Sequence, residues 1–113
     1  MHIDIQANES FSREYEEARQ KFLDAARGCG ARVRHWPHPM KGPRGEVLAA
    51  DSAWVGAEDA SKVLVVISAT HGVEGFAGSG PQVDLLRGSV PAGLPRDTAL
   101  LLMHAVNPHG FAW

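Results

Sequence analysis

The chain has 113 residues, 44% of them hydrophobic and 21% charged. That balance excludes wholesale disorder and bounds the chain, residues 1–113, to a single domain. Eleven basic and 13 acidic residues leave a formal net charge of −2, which gives no electrostatic reason to expect nucleic acid or an anionic membrane as partner.

The longest apolar runs are Val63–Ile67 and Ala99–Met103, far short of the ~20 residues that span a bilayer. No basic segment followed by an apolar stretch opens the chain, and the single cysteine, Cys29, has no partner for an internal disulfide. Both observations lead us to expect a reducing, cytoplasmic setting.

In chain order, Phe11, Tyr15, Ala18, Phe22 and Ala25 recur at helical spacing. They predict an amphipathic helix over residues 12–28, with Ser12 as N-cap and Gly28 and Gly30 as its stop. Residues 31–36 read as a strand ended by Pro37 and Pro39, and residues 37–45 as a loop. Residues 46–55 read as a further strand. The β-branched run at Lys62–Ala69 predicts a central strand buried on both faces. A glycine-rich stretch, 70–80, leads to helical character at Gln82–Arg87. Pro81 sits either inside a helix starting near Glu74 or in the first turn of one starting after Ser79. Thr98–Val106 repeats the buried-strand pattern, and residues 107–110 form a turn. Trp36, Trp54 and Trp113 are expected to serve packing. The order is that of an α/β fold in which two buried strands, joined through a helix, pair in parallel.

The chemistry concentrates in Thr70-His71-Gly72-Val73-Glu74-Gly75, directly after the first buried strand. Ligand sites in open α/β sheets lie beyond the carboxyl ends of strands. An imidazole and a carboxylate three residues apart can converge there, and both are good zinc ligands. Gly72 and Gly75 are expected to let the backbone bend between them. The alternative is a surface ion pair, or a carboxylate that only caps the following helix.

The residues from Ile67 to Phe76, followed by Gly78, Ser79 and Gln82, resemble the first metal-binding motif of the zinc carboxypeptidase superfamily. They resemble most closely a bacterial branch known as a domain of unknown function. The segment from His104 to Trp113 resembles that superfamily's Asn-Pro-x-Gly-Phe turn. Tyr15, Ala18, Arg19 and Phe22, with the segment Asp51–Gly56, extend the likeness over nearly the whole chain.

The resemblance implies a mixed, mostly parallel sheet flanked by helices, and hydrolysis of peptide-like amide bonds. It implies one zinc ion, Zn2+, with His71 and Glu74 as two of three ligands and Gly72, Gly75 and Asn107 shaping the turns beside them. A related acylase branch uses a very similar motif on acyl-amino-acid substrates. In the family the third ligand, the substrate clamp and the general base follow the Asn-Pro-x-Gly-Phe turn, where this sequence stops. No catalytic residue is therefore assigned within the chain, its substrate-binding residues are unknown, and an inactive, incomplete N-terminal portion is expected. That portion would expose the edge of its last strand and need the missing half or an oligomer partner. A non-enzymatic binding or assembly module derived from a truncated hydrolase is the reading from another class.

His104 and His109 are the only candidates near enough in sequence to complete the site. His104 reads as a half-buried, hydrogen-bonded histidine, and His109 as a solvent-exposed turn residue. His2, His35 and His38 have no partner pattern. Gly78-Ser79-Gly80 lacks the lysine of a phosphate-binding loop, which excludes that mode of nucleotide binding.

Overall fold

A computed structural model describes residues 8–113; His2 lies outside them. The elements are α1 (Tyr15–Gly28), β1 (Arg32–Lys41), β2 (Val47–Val55), β3 (Lys62–Ile67), α2 (Gly75–Arg87), a 3-10 turn at Pro91–Gly93, β4 (Thr98–His104) and α3 (Pro108–Ala112). Among the described residues no helix is long and apolar enough to cross a membrane.

The strands form one sheet in the order β1-β2-β4-β3. The β1/β2 and β2/β4 pairs are antiparallel, and β3/β4 is parallel with α2 as its crossover. The sheet is thus mixed, as the family resemblance implied. Within these four strands, however, one pairing of three is parallel rather than most.

The elements differ from the sequence reading at several points, each for a physical reason. Strand β1 runs on through Pro37 and Pro39 to Lys41, where a loop was expected. It is an edge strand, so a proline's missing amide need not break a ladder. The register shifts between Pro37 and Lys41. Helix α1 begins at Tyr15 with Glu14 at the N-cap and no side-chain cap. Ser12 does not cap it, and its hydroxyl is buried without a partner. The Glu17 carboxylate instead accepts from the Arg13 amide at 2.8 Å. Helix α2 begins at Gly75, so of the two placements offered for Pro81 the one inside the helix holds.

The largest change concerns β3. The run Lys62–Ile67 is an outer strand whose side chains are mostly exposed, not a central one. Its partner β4 takes the interior position, with Ala99, Leu100 and Leu102 buried. The exposed sheet edge expected at the last strand therefore lies at β3. Trp36 and Trp113 are exposed, which corrects the packing role expected for them.

The main core lies between the helices and one face of the sheet. Phe22, Ala25 and Ala26 of α1 and Val83 and Leu86 of α2 pack on Ala53, Val55, Leu100 and Leu102. A second cluster at the carboxyl ends of β3 and β4 joins Tyr15, Ala18, Leu48, Ala69, Ala105 and Phe111. The Tyr15 ring meets Phe111 edge-on at 5.5 Å, and its hydroxyl bonds both the carbonyl and the amide of Ala49. Phe22 is fully buried, so Phe22→Ala should cost about 3–5 kcal/mol. Urea unfolding followed by circular dichroism measures this, and a loss below about 1 kcal/mol would contradict the packing described.

Candidate metal site

Because β3 and β4 run parallel, their carboxyl ends lie side by side. The loop carrying His71 and Glu74 follows β3, and the turn carrying Asn107 follows β4. Four bonds stitch the two exits together. The Ser68 amide donates to the Met103 carbonyl at 3.0 Å, and the Val106 amide to the Ser68 carbonyl at 3.1 Å. The Asn107 amide donates to the Ala69 carbonyl at 2.9 Å. The Ala105 amide donates to the Ser68 hydroxyl at 3.3 Å.

At both exits the chain turns through a left-handed residue that is not glycine. Ala69 and Ala105 each have φ of 57°, and both are buried. A left-handed alanine costs roughly 1–2 kcal/mol, and such conformations persist where surrounding structure enforces them, commonly at functional sites. Gly72 and Gly75, expected to supply the bend, are not left-handed. Gly75 is needed for space instead, since a Cβ there would lie 2.6 Å from the Ala69 Cβ.

The predicted pair does come together. His71 Nδ1 lies 3.4 Å from Glu74 Oε1, with the side chains 86% and 59% exposed. The Gly72 amide donates to Glu74 Oε1 at 2.9 Å. That bond, then the Glu74 backbone amide and His71, holds the Glu74 carboxyl below the ordinary carboxylate range.

Asn107 does more than shape its own turn. Its Oδ1 accepts from the Gly110 amide at 2.9 Å, capping α3. Its Nδ2 donates to the His71 carbonyl, also at 2.9 Å. Gly110 completes the latch, because a Cβ there would collide with the same carbonyl oxygen. The His71 backbone is thus clamped from the neighbouring strand exit while its imidazole faces outward.

The other described histidines have partners of their own. The His109 ring stacks on His38 at 5.6 Å. His35 Nδ1 is 2.6 Å from Asp51 Oδ1. His104 is buried completely rather than half-buried; its Nε2 meets the Ser79 hydroxyl at 2.8 Å, and its ring stacks on Phe22 at 4.6 Å. Among the described residues no group of three His, Cys, Asp or Glu side chains converges as a metal cage.

Sequence reasoning assigned no role to the buried polar group beneath the turns. Asp51 is fully buried in β2. Arg19 Nε donates to its Oδ2 at 2.8 Å, and a second guanidinium nitrogen to its Oδ1 at 3.1 Å. The available signal was an aspartate inside an apolar strand, which must find a partner. Tyr15 and Arg19, one helical turn apart, offered that face of α1.

Residues 11–113 match the family described as "Protein of unknown function (DUF2817)", and the chain belongs to that family. No curated protein matches it. Three glutaminyl cyclase structures share its fold. The Macrostomum lignano enzyme matches with a TM-score of 0.59 and 15% identity, over 88% of this chain and 35% of that one. The Fimbriiglobus ruber enzyme gives 0.56 and 12%, over 87% and 41%. The Porphyromonas gingivalis enzyme gives 0.50 and 14%, over 83% and 45%. The chain therefore spans less than half the length of each.

Burial pushes the His104 imidazole down to about 4. The unfolded chain binds a proton on this ring near pH 6.5. Stability present above about pH 6.5 is therefore lost as pH falls toward 4, on the order of 3 kcal/mol in all. Urea unfolding between pH 4.5 and 7.5 should show this slope in the parent chain and a flatter one in His104→Gln. Equal slopes would contradict the assignment.

Proposed function

We propose that the chain is the metal-binding part of a zinc-dependent hydrolase of peptide or amide bonds, related to the zinc carboxypeptidases. His71 and Glu74 hold the ion. The observation that carries this reading is their separation. Two donors bound at 2.0–2.1 Å to one tetrahedral zinc stand roughly 3.4 Å apart, and His71 Nδ1 and Glu74 Oε1 stand 3.4 Å apart.

The donor chemistry fits as well. Glu74 is ionised well below neutrality, so it ligates without first losing a proton. The Gly72 amide fixes its carboxylate and Asn107 fixes the His71 backbone, as outer partners orient ligands in metal sites. When bound, the ion would supply Lewis-acid polarisation of a substrate carbonyl. This chain's residues hold the two ligands at an open strand end, where substrate has access.

A catalytic zinc site takes three protein ligands. In this reading the third, and the general base, come from outside the described residues, and the isolated chain binds zinc weakly without turnover. A second reading follows from the shared fold of the glutaminyl cyclases, in which the group acted on is glutaminyl.

Titration calorimetry of the purified chain with zinc at pH 7.5 tests the proposal. One ion per chain is expected. His71→Ala or Glu74→Gln should abolish binding, and Asn107→Ala should weaken it by roughly 10–100-fold, the range for an outer partner. Absent binding, or binding unchanged in His71→Ala, would overturn the assignment of the ligands.

A further inference from the structure

Three strands, not two, end beside the candidate site. β1 is antiparallel to β2 and β2 to β4, so β1 runs in the direction of β4 and β3. Its last residues, from His38 to Lys41, therefore reach the end of the sheet that carries His71. Helix α3 lies between them. On one flank it meets the metal loop: a Cβ at Gly72 would lie 3.8 Å from the Gly110 carbonyl oxygen, and one at Gly75 3.3 Å from the Phe111 ring. On the other flank it meets β1. The His109 ring lies nearly parallel to His38, 5.6 Å away and tilted by 21°. The Trp113 ring is 5.8 Å from His109, and its indole N–H donates to the Lys41 carbonyl at 3.3 Å.

Burial does not account for this order. Trp113 is 63% exposed, and both histidines are half-buried. The three rings are held by one another and by backbone, with ring faces open to solvent. The Met40 amide donates to His38 Nδ1 at 3.0 Å. A neutral ring whose Nδ1 accepts carries its proton on Nε2, so His38 offers an N–H donor and no free lone pair for a metal. Among the described residues nothing accepts from that donor.

We propose that His38, His109 and Trp113 form a substrate subsite for an aromatic side chain, which rests on the reading of His71 and Glu74 as the metal pair. Chemistry selects the occupant. A carboxylate would face the negative π surface of the indole, whereas an aromatic ring stacks on it or meets it edge-on. A cationic side chain would meet Lys41, which has no acidic partner among the described residues. A helix is about 10–12 Å across with its side chains, so the rings lie on the order of 10 Å from the metal pair. That is the span of about three extended residues. The subsite therefore reads a residue two or three positions from the amide at the metal, and His38 Nε2 can donate to a peptide carbonyl beside it.

Nuclear magnetic resonance of the purified chain, with and without zinc, tests this. The probes are two neutral amides, N-acetyl-phenylalaninamide and N-acetyl-leucinamide. The ring signals of His38 and His109 and the indole N–H of Trp113 should move with the first probe, which should bind at least about threefold more tightly than the second, as a stacked aromatic pair allows. His38→Ala and Trp113→Leu should each erase that preference while leaving the zinc affinity unchanged. His38→Phe, which keeps a flat ring, should retain it. His71→Ala should abolish zinc binding and leave the preference intact, so loss of the metal reading and loss of the subsite are read separately. Equal binding of the two amides, shifts confined to other residues, or a preference that survives both His38→Ala and Trp113→Leu would each overturn the proposal.

Discussion

The bond from the Asn107 side chain to the His71 carbonyl is the constraint on which the candidate site depends. It joins two loops that leave adjacent parallel strands, and it works only because Gly110 lets the two backbones approach. Without it only the bonds at Ser68 and Ala69, at the base of the loop, would join the two exits. With it, imidazole and carboxylate project from a braced backbone. Placing metal ligands on a braced backbone limits the entropy lost when an ion binds. The left-handed alanines at 69 and 105 belong to the same construction, since each lets its strand end abruptly and turn toward the other loop.

Beneath the turns, a buried polar layer fixes where the strands end. Asp51 pairs in register with His104 across β2 and β4 and takes two bonds from Arg19. His104 in turn reaches Ser79 of α2. Gln82 of the same helix donates to the carbonyls of Val66 and Met103, spanning both parallel strands. Buried ion pairs contribute little net stability, but removing one partner is costly. Here the layer ties α1 and α2 to defined points on the sheet, and so sets the position of the second core cluster under the site.

Much of this was legible in the sequence. The strand-loop-helix-strand order around His71 followed from two β-branched or leucine-rich runs separated by glycines. The meeting of His71 and Glu74 followed from their spacing across a turn. Hydrophobicity alone could not tell an outer strand from an inner one, so β3 was assigned the same burial as β4, and only β4 has it. Prolines at 37 and 39 signalled a loop because the edge position of β1, which tolerates them, is a property of the whole sheet. The Asn107 bond to His71 joins residues 36 positions apart, beyond the reach of any local pattern. Left-handed alanines stand where glycine would have been the signal, and nothing in the local sequence marks them.

The central claim is that the paired strand exits present His71 and Glu74 as two donors to one metal ion. Anomalous diffraction at the zinc edge, from crystals of the chain grown with zinc, tests it most directly. The account predicts an anomalous peak bonded to His71 Nδ1 and a Glu74 carboxylate oxygen, with the Asn107 bond to the His71 carbonyl intact. A peak at the His38 and His109 rings instead, or none near His71, would contradict it.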